Sequence, residues 1–108
     1  MIKDHDTFIA AIHAKTKIRV TFFSKEDGLN LVRVCAPLDY GPFRRATDQS
    51  KNYYHFWDYE SDKKNHNLPI YHDRIISLQF LEDRFLPSEF VTWASCKWFI
   101  VRDWGQHS

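Results

Sequence analysis

Three kinds of side chain in this sequence could do chemistry, and the arginines come first. Arg33 lies in LNLVRVCAP between Val32 and Val34, and Arg74 in YHDRIISLQF stands at the head of an alternating apolar run. A guanidinium is a planar fork that grips a phosphate or carboxylate with two hydrogen bonds and also stacks on aromatic rings. Two of them beside a phenol would suit an anion that carries a flat base. The plainer outcome is that each points to solvent or pairs with a carboxylate such as Asp39 or Asp73. Arg44 and Arg45, in GPFRRAT, add a second basic point on a connection, where an exposed Arg pair is most often just solvated, although loops positioned on a rigid barrel also often carry binding contacts.

Histidines and cysteines offer less. His55, His66 and His72 are spaced by eleven and six residues, which matches no zinc pattern, and the two cysteines lie far from them in the chain. No metal and no cofactor is expected. Cys35 in VRVCAP and Cys96 in WASCKWF have apolar neighbours and no CxxC spacing, so both are expected as reduced core thiols, with Cys96 beside Lys97 as a weaker candidate for a reactive thiolate. No G-x-S-x-G, P-loop or H-E-x-x-H is present, and Asp58, Glu60 and Asp73 form no recognised acid–base pair. The sequence assigns no catalytic residue, and an enzyme is not expected.

The elements that must position these groups begin with NYYHFWDY, five rings and a histidine within eight residues. Alternation separates Tyr53, His55, Trp57 and Tyr59 from Tyr54, Phe56 and Asp58. Both sets are aromatic, so one is core and the other a candidate platform; the period alone does not say which. Upstream, Phe8, Ile9 and Ile12 recur at helical spacing after Asp4 or Asp6 as cap, which predicts a helix before Lys17. KIRVTFF and LNLVRVCAP then read as a hairpin around Gly28, with strands near 17–23 and 29–36. Residues 38–51 read as a connection punctuated by Gly41-Pro42. Further strands are expected near 52–59, at 68–71 and near 74–81. In the last of these, Ile75, Ser77, Gln79 and Leu81 face away from Arg74, Ile76, Leu78 and Phe80. Beyond Pro87 the pattern allows a helix capped at Ser88 or a strand over KWFIV.

A chain of 108 residues makes one domain over 1–108, large enough to bury roughly 65% of its unfolded surface. Phe, Tyr and Trp supply 17% of the residues, against 3 Gly and 1 Met. Stiff flat groups of this kind favour pleated surfaces. The fold class is therefore mainly β with an N-terminal helix, built as a small bent antiparallel sheet or barrel. Fifteen basic and fourteen acidic residues leave a net charge of +1, so a polyanion would have to be held locally. No secretory signal opens the chain and no apolar run approaches a membrane span, which predicts a cytoplasmic location and no membrane contact. The surplus of rings, above all in KWFIVRDW, predicts an exposed apolar surface and a homo-oligomer.

The order RVTFFSKEDGLNLVRVCAPLDY, then NYYHFWDY, then YHDRIISLQFLEDRF resembles the WYL domain over about residues 17–87. Arg33 and Pro37 look like that family's Arg and Pro-containing turn, Tyr53-Tyr54-His55 stands where Trp-Tyr-Leu would be, and Asp73-Arg74-Ile75 looks like its Asp-Arg-Ile element. The naming motif keeps only Tyr54, Leu68 stands where a further Arg is common, and the usual winged helix has no room. The resemblance implies an Sm-like or SH3-like barrel. It also implies a stand-alone regulatory or accessory domain whose ligand-binding residues Arg33, Tyr54 and Arg74, with Arg44 or Arg45 at the rim, take a nucleotide or single-stranded nucleic acid. The competing expectation is a protein–protein interaction or dimerisation module that uses Trp93, Trp98 and Trp104.

Overall fold

The computed structural model describes residues 1–43, 46–62, 65–93 and 96–108. Helix α1, His5–Ala14, buries Phe8, Ala11 and Ile12, one stripe at helical spacing. Asp4 stands at its N-cap without a side-chain cap bond, so the capping expected of Asp4 or Asp6 is not made. Lys15 ends the helix in the left-handed region, at φ 58°, and returns its N–H to the last-turn carbonyls.

Five strands follow: β1 Thr16–Ser24, β2 Leu29–Gly41, β3 Tyr53–Asp58, β4 Asn67–Tyr71 and β5 Ile75–Arg84. They form one antiparallel sheet in the order β4-β3-β2-β1-β5. β1 follows the expected alternation, with Ile18, Val20 and Phe22 buried. At the β1–β2 turn, Gly28 takes φ 68° and donates its N–H to the Ser24 carbonyl at 2.8 Å. β4 and β5 are the two edges, yet only the short 3-10 turn His72–Arg74 joins them. Four flat inter-strand steps would hold the edges roughly 19 Å apart. Residues 71 and 75 can be separated by no more than about 14 Å. The sheet therefore bends strongly. β4 and β5 do not pair, so the sheet stays open and the barrel suggested by the family resemblance is not closed.

Two irregularities reset the pattern. Between Pro37↔Phe56 and Asp39↔His55, Leu38 is an extra residue on β2, and β2 runs on to Gly41 where a connection was expected. A proline in a central strand removes a ladder donor, and the bulge beside it accommodates that loss. On β5, Ile76 is the extra residue between Phe22↔Ile75 and Thr21↔Ser77. Ile75 packs inward before this bulge and Leu78 and Phe80 after it, so the uninterrupted alternation expected across 75–81 does not hold. Arg74 belongs to the 3-10 turn and not to the strand.

Beyond Pro87 the chain is neither the helix nor the strand that the pattern allowed. A 3-10 turn at Pro87–Glu89, with Leu86 at its N-cap, leads into irregular chain and a last 3-10 turn at Gly105–His107. Both flanks of β2 are taken by β1 and β3, so KWFIV finds no central ladder to join. The Asp39 carboxylate receives its amides instead: Phe99 and Ile100 each donate an N–H at 2.9 Å. Five consecutive β2 residues, Cys35 to Asp39, are buried. One core unites α1, the sheet and the chain end. Phe8 sits edge-on to Tyr54 and Phe56, and Trp104 donates its indole N–H to the Ile12 carbonyl at 2.9 Å.

Candidate binding cleft

The residues expected to share one groove do not meet at a surface. Tyr54 is 0% exposed, under the rings of Phe8 and Tyr40. Its hydroxyl accepts the Ile2 N–H at 3.2 Å and lies 2.8 Å from His5 Nδ1. Burial raises its pKa, against the opposing effect of the Ile2 bond. In NYYHFWDY the set containing Tyr54 is the core, and no ligand can stack on that ring. This corrects the expected role of Tyr54: the phase of β3 turns Tyr54, Phe56 and Asp58 inward and leaves Tyr53, His55 and Trp57 half-buried on the other side.

Arg33 stands on β2 opposite Val20, with its Nε 3.4 Å from Asp58 Oδ2. Its partner is thus neither of the two carboxylates anticipated. Burial raises the pKa of Asp58 above its ordinary 3.8, opposed by the hydrogen bond from the Glu60 N–H and by the Arg33 charge. Arg33 lines a recess of about 470 Å³ whose other ionisable lining residues include Glu26, Asp27, Asp58 and Asp62. That field repels phosphate. Arg74, partly exposed, makes no hydrogen bond or ion pair among the described residues, and lines neither this recess nor the cleft described below. Arg44 and Arg45 lie outside the described residues.

The histidines do not cluster. His55 Nε2 donates to the Gly41 carbonyl at 2.8 Å, which leaves Nδ1 of the neutral ring as an acceptor. His66 stacks on Trp57 with its Nδ1 2.7 Å from the Asp58 carbonyl, and His72 is exposed. Among the described residues no group of His, Cys, Asp and Glu could hold a metal ion. Both cysteines are free, Cys35 fully buried and Cys96 partly so; burial pushes the Cys35 thiol far up, which keeps it inert.

A different site is built on the side of β3 away from Tyr54. A cleft of about 380 Å³ opens between β3, β4, the end of β2 and the C-terminal segment. Phe43, Trp93 and Phe99, three of the chain's exposed large apolar residues, converge on it, with exposures of 43%, 46% and 42%. Pro42, Pro69, Trp98, Leu38, Phe56 and Leu68 add to the apolar lining, and His55, Asp39, Asn65 and Asn67 supply the polar groups. Each wall has a local cause. Phe43 packs on Tyr53 at 4.5 Å. Phe99 lies against Gly41, where an added Cβ would sit 2.5 Å from its ring, so only glycine lets this wall close. Trp98 is fixed by its indole N–H to the His107 carbonyl at 2.7 Å and by the Arg102 guanidinium 4.2 Å from its ring centre.

Arg102 is the fastener of this wall. Its guanidinium lies against both Trp98 and Trp104 and donates to the Leu38 and Ile100 carbonyls and to Asp39. Sequence reasoning missed the cleft because its rings come from four separate segments that share no period. The one available signal was the excess of rings near the C-terminal end.

Comparison with known proteins finds no family model, no curated protein and no solved structure that matches the chain. Among the described residues no helix is long and apolar enough to cross a membrane.

Proposed function

We propose that this chain is a non-catalytic protein-interaction module whose aromatic cleft seats an extended, proline-bearing segment of a partner protein. The observation that carries this reading is the convergence of Phe43, Trp93 and Phe99 on one cleft beside Pro42, Pro69 and Trp98. A polyproline segment loses little entropy on docking, and its rings pack flat on aromatic walls. Its carbonyls need donors. Asn67 presents a side-chain amide, Asn65 keeps its NH₂ while its Oδ1 accepts the Asn67 N–H, and the indole N–H of half-exposed Trp93 makes no hydrogen bond among the described residues. Two unpaired cysteines fit a reducing, cytoplasmic setting.

Titration with a proline-rich decapeptide, followed by indole fluorescence and by amide shifts of Asn67 and Phe99, tests the reading. Micromolar binding that weakens about tenfold or more in Trp93→Ala and Phe43→Ala is the expected result. Shifts confined to other parts of the sheet, or no shift at millimolar peptide, would reject it.

The regulatory, nucleotide-binding reading that the WYL resemblance implies survives in one form. The rings of the cleft could stack a base, and Arg44 and Arg45 follow Phe43 in the chain. Single-stranded oligothymidylate in the same titration decides between them, since only a phosphate-bearing ligand would bind more weakly as salt rises.

A further inference from the structure

Within the cleft, His55 carries a hydrogen-bond acceptor that no described residue uses. Its Nε2 donates to the Gly41 carbonyl at 2.8 Å, and a carbonyl only accepts, so in the neutral ring Nδ1 bears a lone pair and no proton. The ring is also held in place. Phe43 meets it edge-on at 5.9 Å, Tyr53 lies at 6.3 Å, and the His55 backbone is registered against Asp39 on β2 and Pro69 on β4. Among the described residues, the one buried side-chain nitrogen or oxygen without a hydrogen bond is His107 Nε2. The unbonded Nδ1 of His55 is therefore not sealed in, and a ligand in the cleft reaches it. The neighbouring polar groups differ in kind. The Asp39 carboxylate is committed to the Tyr40, Phe99 and Ile100 amides and to Arg102, while Asn65 and Asn67 bring NH₂ groups and Trp93 an indole N–H.

We propose that His55 Nδ1 sets the sequence class of the bound segment: it accepts the backbone N–H of a non-proline residue placed between prolines, so the cleft selects Pro-x-Pro over uninterrupted polyproline. This choice rests on the cleft being the seat of a proline-bearing segment, as proposed above. Proline has no N–H. A run of prolines laid over His55 would strip water from Nδ1 and return no donor, and a site built around a hydrogen bond rejects an analogue that lacks the group. One non-proline residue supplies that donor and keeps the extended path, since the polyproline helix has no internal hydrogen bonds to lose. A backbone donor suits the site better than a lysine or serine side chain. Its position is fixed by the flanking prolines, so no rotamer freedom is lost when the bond forms. Phe43, edge-on to His55, offers a wall for one of those flanking rings.

The test titrates the full chain with a decapeptide of Pro-Ala-Pro repeats, with decaproline, and with versions of the first in which each alanine N–H in turn is replaced by an ester oxygen. Decaproline and one of the esters bind the wild type about fivefold or more weakly than the parent peptide. In His55→Leu, checked for folding by circular dichroism, the penalty of that same ester falls below about twofold, a coupling that a general loosening of the cleft would not produce. In the wild type, the nitrogen resonance of His55 Nδ1 moves toward that of a hydrogen-bonded acceptor with the parent peptide and not with decaproline. Decaproline binding as tightly as the parent, no ester position that matters, or an equal ester penalty in His55→Leu overturns this proposal. The reading of the cleft survives those results if Trp93→Ala still weakens the parent peptide. Failure of every peptide to bind overturns both.

Discussion

At the scale of single residues, burial decides which charged groups matter. Asp39 and Arg102 are both buried, and Asp39 also receives three backbone amides, from Tyr40, Phe99 and Ile100. Removing Asp39 strands the Arg102 charge and orphans those amides. Asp39→Ala should therefore cost about 3–5 kcal/mol in urea unfolding. Arg33→Ala, whose side chain is about one-third exposed, should cost on the order of 1 kcal/mol or less. Equal losses would mean that the C-terminal segment is not held by Asp39. Asp58 gives a pH signature. Its folded pKa is raised above its ordinary 3.8, so between the two values the folded state binds more protons than the unfolded one. That contribution to stability is complete below the unfolded pKa and is lost as pH rises through the folded pKa. In Asp58→Asn the fall in stability from about pH 4 to pH 7 should shrink relative to wild type; an unchanged profile would remove Asp58 as its source.

At the scale of elements, the helix and the hairpin were legible because each carries an unbroken period. Phe8 and Ile12 mark one helical stripe, and Ile18, Val20 and Phe22 mark one strand face. What was not legible traces to features without a period. A bulge at Leu38 extended β2 through Pro37, which reads locally as the start of a turn. A bulge at Ile76 reversed the phase of β5 and put Leu78 and Phe80 inside. The platform assignment in NYYHFWDY failed for a similar reason: alternation finds two faces, but only the helix packed above Tyr54 says which is the interior. One element also carries a correctable strain. Lys15 holds φ 58° at the end of α1, a conformation that costs a side-chain-bearing residue about 1–2 kcal/mol and glycine almost none. Lys15→Gly should raise the thermal midpoint by several degrees, consistent with about 1 kcal/mol; a lower midpoint would show that the Lys15 side chain contributes more than the strain costs.

At the scale of the whole molecule, the two ends of the chain stabilise each other. α1 packs on one part of the sheet, while the C-terminal segment has no ladder and is held by Asp39, Arg102 and Trp104. Trp104 is 3% exposed, lies edge-on to Phe85, Phe90 and Trp98, and reaches α1 through its indole N–H. Two substitutions separate its packing from its hydrogen bond. Trp104→Phe keeps most of the ring contact but leaves the Ile12 carbonyl with only the longer bond from the Lys15 N–H, at 3.3 Å, a loss of about 1 kcal/mol. Trp104→Ala also opens a cavity and should cost about 3–5 kcal/mol in total. Because the bond ends on α1, native-state hydrogen exchange should quicken at the helix amides of Trp104→Phe more than at β1, as local opening does in a unit that has lost its tether. The cleft should loosen in parallel, since Trp98 packs on both Trp104 and Arg102. If exchange in Trp104→Phe rises equally across helix and sheet, the indole contributes only to global stability, and the chain end does not act as the fastener of α1.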